Sequence, residues 1–114
     1  MKKVVYCKLV RDGIPAHLSN LGITSETSVI PPNEILGHLR TKLVEEAREV
    51  ERSKASKLTQ ELADVLAVME AIAEKAGIQW STIITEKEHI EKEKGAFNNG
   101  VFLISTTKPD KPTK

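Results

Sequence analysis

Two acidic pairs in this chain share one spacing, Glu46 with Glu49 and Glu61 with Asp64. Residues three apart on a helix are surface neighbours, so each pair would stand one carboxylate above the other. On a helix turning roughly 100° per residue, Leu36, Leu39, Leu43, Ala47 and Val50 fall in one apolar stripe, with Glu46 and Glu49 about 60° and 120° to one side. Leu58, Leu62, Val65, Met69, Ile72 and Ala76 form a second stripe, with Glu61 and Asp64 about 70° and 130° to its corresponding side. Packing the two helices would let four carboxylates converge. Anions that close repel strongly, and a bound divalent cation is the simplest compensation. Mg²⁺ suits such donors: it is a hard ion that takes carboxylate oxygens at roughly 2.0–2.1 Å and is commonly completed by water and phosphate oxygens. Mn²⁺ accepts the same ligands. From spacing alone, two solvated acidic flanks stand as an equal alternative. Glu70 and Glu74, on the side of the second helix away from its stripe, read as solvated.

The elements that must carry these pairs are marked by local chemistry. Pro32 suits a first helical turn and Glu34 the positive end of a helix dipole, so a long helix is expected from Pro32 to about Ser53. After the polar stretch 53–57, with Ser56 as N-cap, a second long helix should run to about Ala76 and stop at Gly77. Ser81 caps a shorter third, Thr82 to Lys94, closed by Gly95. Val4 to Val10 reads as an extended arm broken by Gly13 and Pro15, and Leu18 to Leu21 as a single helical turn. The β-branched runs Thr24 to Ile30 and Val101 to Ile104 are expected to form a minor strand pair. Together these predict an all-α bundle in one domain, residues 1–107, with a disordered tail over 108–114. Two helices cannot bury such wide stripes alone, so completion by a second copy is expected, as a homodimer or a higher homo-oligomer.

Composition narrows the function. In 114 residues, Lys and Arg number 17 and Asp and Glu 16, a formal charge of +1 that sets up no field to attract nucleic acid or an anionic membrane. One cysteine, Cys7, allows neither an intrachain disulfide nor a cysteine-based zinc site and reads as packing, and the apolar run after Lys2 and Lys3 is cut too soon for a signal peptide. A cytoplasmic protein without membrane or nucleic-acid partners is the expectation.

The residues around the acidic pairs resemble a known family. Glu45-Glu46-Ala47-Arg48-Glu49 followed by Glu61-Leu62-Ala63-Asp64 is similar to the EExxE and ExxD motifs of the MazG-like all-α nucleoside triphosphate pyrophosphohydrolases. Lys8-Leu9-Val10-Arg11-Asp12 with Ile14-Pro15, and Lys94-Gly95-Ala96-Phe97 with Gly100-Val101-Phe102-Leu103, resemble the opening KLVRDxIP and closing RGGF…GIFL of its phosphoribosyl-ATP pyrophosphohydrolase-like subgroup. The resemblance implies Mg²⁺ held by Glu46, Glu49, Glu61 and Asp64, and cleavage of a nucleoside triphosphate between its α and β phosphates. It also implies that Lys8, Arg11 and Lys94 meet the substrate. Glu49 and Glu61 are then the catalytic candidates for taking a proton from water, provided one oxygen stays free. Glu45 fills the first motif position but points nearly opposite the core, which suits either a supporting role behind the ligands or a surface role. Gly13 and Ala96 depart from the subgroup pattern, where a basic residue and a second glycine are usual.

The remaining candidates carry less. Lys8 and Arg11 are equally consistent with surface ion pairs, and Lys87 and Lys92 interleave with glutamates at helical spacing. Trp80 and Phe97 read as core aromatics. His17, His38 and His89 have no metal-ligand spacing. A phosphate-cradling GxxxxGK[ST] loop is absent. Two rivals stand beside the main reading: a phosphoribosyl-ATP pyrophosphohydrolase of histidine biosynthesis, and a non-catalytic, antitoxin-like helical interaction module.

Overall fold

A computed structural model describes residues 2–110. Within them the chain forms four helices and no strand: α1 (Ile14–Asn20), α2 (Pro32–Arg52), α3 (Leu58–Lys75), preceded by a 3-10 turn (Ala55–Lys57), and α4 (Trp80–Lys94). No helix among them is long and apolar enough to cross a membrane. The all-α expectation therefore holds, and both long helices start and stop within a few residues of where their sequence places them.

Local chemistry explains the ends. α2 begins on Pro32, whose missing N–H costs nothing in a first turn, with Glu34 two residues further inside. α3 ends in a paired bond from Ile78 N to Ala73 O at 2.8 Å and from Gly77 N to Glu74 O at 3.2 Å, closed by Gly77 at φ +72°. The same motif, with Gly22 at φ +76°, closes α1, which starts at Ile14, four residues before the single turn expected at Leu18. Ser56 caps nothing, because the 3-10 turn takes up the link, and α4 starts at Trp80, two residues before the expected Thr82.

The minor strand pair does not form. Residues 23–30 and 101–104 have no regular structure, with Val29, Val101 and Ile104 about nine-tenths exposed. Their β-branched composition favours extended backbone, yet a strand needs a partner edge, and neither segment meets one. Cys7, read as packing, is exposed. Lys108 to Asp110 are exposed without regular structure; the rest of the expected disordered tail lies outside the described residues.

The core is the seam between α2 and α3, which fold back on each other across the short link 53–57. α4 touches α3 but not α2, and α1 packs on none of the other helices. Among the described residues only Leu39 and Ala73 are buried. Each helix is turned relative to the expected packing: the side chains covered on α2 centre about 60°, and those on α3 about 90°, toward the acidic flank. Ala47, Leu58, Leu62, Met69 and Ala76, expected in the packed stripes, are exposed together with Val44 and Leu66. One helix can cover only part of so wide a stripe. The seam takes the acidic side, and the apolar remainder of each helix stays open. The radius of gyration is 20.3 Å, against about 13 Å for a compact domain of this length.

Candidate functional site

Turning the seam toward the acidic flanks sets carboxylates from both helices between them. Glu46 of α2 and Glu61 and Asp64 of α3 each offer an oxygen, all within 4.8 Å of one another, and all three residues are half-buried. Glu61 and Asp64 lie in the first two turns of α3, beside the 3-10 link, which holds the start of α3 near the end of α2. The spacing of the first pair is used only in part. Glu49 stays outside the trio, its Oε1 accepting from Arg52 Nη2 at 2.7 Å, with its side chain 46% exposed.

Cations ring this cluster. Lys42 Nζ, 15% exposed, lies 3.4 Å from both Glu46 Oε1 and Glu45 Oε1. From the arm, Lys8 Nζ donates to Glu45 Oε1 at 2.9 Å and Arg11 Nη2 donates to Asp64 Oδ1 at 2.7 Å. The chain turns sharply just before Lys8, where Cys7 takes φ +48°, and the Lys8 ammonium sits 5.7 Å from the Tyr6 ring centre. The hydrogen bond from Lys8 holds the Glu45 carboxyl below its ordinary value, and the same bond raises Lys8. The sign follows for both groups: this tether is lost as pH falls through the lowered Glu45 pKa or rises through the raised Lys8 pKa.

Of the residues the sequence singled out, the structure thus brings together Glu46, Glu61, Asp64 and Arg11, places Lys8 beside them through Glu45, and sets Glu49 at the margin. Lys94 is exposed on the last turn of α4 and forms no ion pair among the described residues. Trp80 is half-buried at the start of α4, whereas Phe97 is fully exposed. Lys42 went unremarked in the sequence, although its place one turn before both Glu45 and Glu46 marks it as their partner. Glu45, facing away from the packed stripe, emerges as the anchor of the arm.

Comparison with protein-family models, with curated proteins and with solved structures finds no match for this chain. The site therefore rests on its own geometry and on the motifs it carries.

Glu70 and Glu74 supply an internal control. Both are exposed and take part in no ion pair among the described residues. Glu70→Gln and Glu74→Gln should each change stability by less than about 0.5 kcal/mol and leave divalent-cation binding unaltered, as read by thermal melts with and without Mn²⁺. A loss of binding in either variant would mean that the wrong flank of α3 has been assigned.

Proposed function

We propose that this chain is a magnesium-dependent nucleoside triphosphate pyrophosphohydrolase that releases the nucleoside monophosphate and pyrophosphate, a nucleotide-pool house-cleaning activity of the cytoplasm. The observation that carries the proposal is the convergence of Glu46, Glu61 and Asp64 from two helices onto one small volume. All the donors are carboxylate oxygens, which a hard divalent ion prefers, and those oxygens lie within 4.8 Å of one another. Their partial exposure leaves room for water and phosphate oxygens. The donor set fits Mg²⁺, and Mn²⁺ as its substitute.

Glu46, Glu61 and Asp64 would hold the ion, with Glu49 completing the set if it turns from Arg52. A cation bound there supplies charge neutralisation for a phosphate chain and a lowered pKa for an attached water. Glu49 and Glu61 are the groups suited to accept that water's proton, Glu49 because its carboxylate lies at the rim. Lys8 and Arg11 bring positive charge to the same rim for the substrate phosphates. Lys94 joins them only where α4 closes over the hairpin or comes from a second copy. The choice of the α phosphorus follows from the motif resemblance, not from the positions of the carboxylates.

The assembly we propose is a homodimer, or a higher homo-oligomer built from it, formed through the open apolar face of α2 and α3. The accessible surface of the chain is 10807 Å², whereas a compact monomer of its 12.6 kDa mass exposes about 6,200 Å². Part of the excess belongs to the arm and the segment after α4. The remainder is of the order that obligate dimers bury, about 2,000–5,000 Å² in all.

The deciding experiment incubates the protein with a panel of nucleoside triphosphates, and with phosphoribosyl-ATP, in the presence of Mg²⁺ and ¹⁸O-labelled water. Pyrophosphate and the monophosphate should appear together, with label in the monophosphate as attack at the α phosphorus requires. A primary yield of nucleoside diphosphate and orthophosphate would overturn the proposal even if the cation site stood. Turnover confined to phosphoribosyl-ATP would move the chain to histidine biosynthesis. No turnover, with no stabilisation by millimolar Mg²⁺ beyond matched ionic strength, would make it an interaction module.

A further inference from the structure

The segment 2–13 has no regular structure, yet it is fastened to the helical hairpin at two points three residues apart. Lys8 reaches Glu45 on α2 and Arg11 reaches Asp64 on α3. The two anchors differ in kind. Glu45 stands outside the carboxylate trio, whereas Asp64 is one of its three members. Arg11 thus occupies a carboxylate that any cation entering the trio must also use. Its contact is close, 2.7 Å to Oδ1, but the guanidinium side chain is 61% exposed, so it remains hydrated and the pair is of the weak, exchangeable kind.

We propose that Arg11 is the resident counter-ion of the trio, and that a divalent cation binding there displaces it while Lys8 and Glu45 keep the arm tethered. The inference rests on the reading of Glu46, Glu61 and Asp64 as a cation site. Three carboxylates facing one another need positive charge, and in this structure Lys42 serves Glu46 while Arg11 serves Asp64. A divalent ion among the same oxygens both competes for Asp64 and repels the guanidinium, so the two cations exclude each other. Lys8 is spared because its partner lies outside the trio. The arm then pivots instead of detaching, and Arg11 is set free at the rim of the site.

A strap that merely held α2 and α3 together would behave oppositely. Removing it would loosen the trio and weaken cation binding, whereas removing a competitor tightens it. The test is a calorimetric titration of the nucleotide-free chain with MnCl₂, comparing wild type, Arg11→Gln and Arg11→Lys. Circular dichroism checks that each is folded. Arg11→Gln should bind Mn²⁺ about two- to fivefold more tightly, as expected from loss of an exposed competing pair, with Arg11→Lys in between. The Ile14 amide of the wild type, which donates to the Arg11 carbonyl at 3.1 Å, should exchange hydrogen faster once Mn²⁺ is saturating. Equal or weaker Mn²⁺ binding by Arg11→Gln would overturn the displacement while leaving the cation site standing. Absence of Mn²⁺ binding by wild type and both variants would remove the site, and the displacement with it.

Discussion

Asp64→Asn is expected to reduce Mg²⁺-dependent pyrophosphate release by at least about 100-fold, since metal-assisted hydrolysis draws several kcal/mol from the ion and each 1.36 kcal/mol is tenfold in rate. The substitution keeps the side-chain volume and removes the charge. Stability without metal should hold or rise, because one of three mutually repelling carboxylates becomes neutral. The lost pair with Arg11 is largely exposed and offsets little of that gain. The expected pattern is therefore a fall in activity and in Mn²⁺ binding with no fall in melting temperature. Glu49→Gln should also abolish most activity, even though Arg52 holds its carboxylate away from the trio. Near wild-type turnover in Glu49→Gln would reduce the ligand set to three. Near wild-type turnover in Asp64→Asn as well would refute the site itself.

The site was legible in the sequence because helical spacing is a one-dimensional property. Glu46, Glu61 and Asp64 fall on corresponding flanks whatever the rest of the chain does, and a hairpin with a short link leaves them little choice but to meet. Glu49 was less legible, since its direction depends on a side-chain torsion and on Arg52 one turn further along. The partners of the arm were not legible at all. Nothing local to Lys8 or Arg11 says that one reaches α2 and the other α3, for such contacts depend on where an unstructured segment crosses the hairpin. The strand pair failed for a related reason: the β-branched content of 24–30 and 101–104 describes a local preference, and pairing requires the two segments to lie side by side.

The rotation of the seam was likewise hidden, though its cause can be read. A stripe as wide as Leu58, Leu62, Val65, Met69 and Ile72 offers more apolar surface than one neighbouring helix covers. Periodicity gives the centre of such a stripe, and the side a partner takes depends on how many partners there are. With α2 as its main partner, α3 keeps Val65, Val68 and Ile72 half-buried and leaves Leu58, Leu62, Leu66 and Met69 open. The rotation that exposes these four residues is the same one that draws Glu61 and Asp64 inward. Site and open face are two consequences of one packing choice.

Leu62→Glu, alone or with Leu66→Glu, is therefore expected to abolish self-association. In the single chain Leu62 is 51% and Leu66 46% exposed, so on a monomeric protein these substitutions would be nearly neutral, within about 0.5 kcal/mol. Within an interface formed by the open face of two copies, symmetry repeats each change, and every added carboxylate would be desolvated without a partner at a cost of several kcal/mol. Association should weaken by several orders of magnitude, each 1.4 kcal/mol being tenfold. Light scattering on the wild type should give at least twice the 12.6 kDa chain mass, with a melting temperature that rises with concentration, as linked folding and association require. The Leu62→Glu chain should run as a monomer or lose its fold, because Leu39 and Ala73 alone make too small a core to hold the hairpin. A wild type of single-chain mass across the micromolar range, with a concentration-independent melt unchanged by Leu62→Glu, would show that the face is left open in solution and that the hairpin is stable without a second copy.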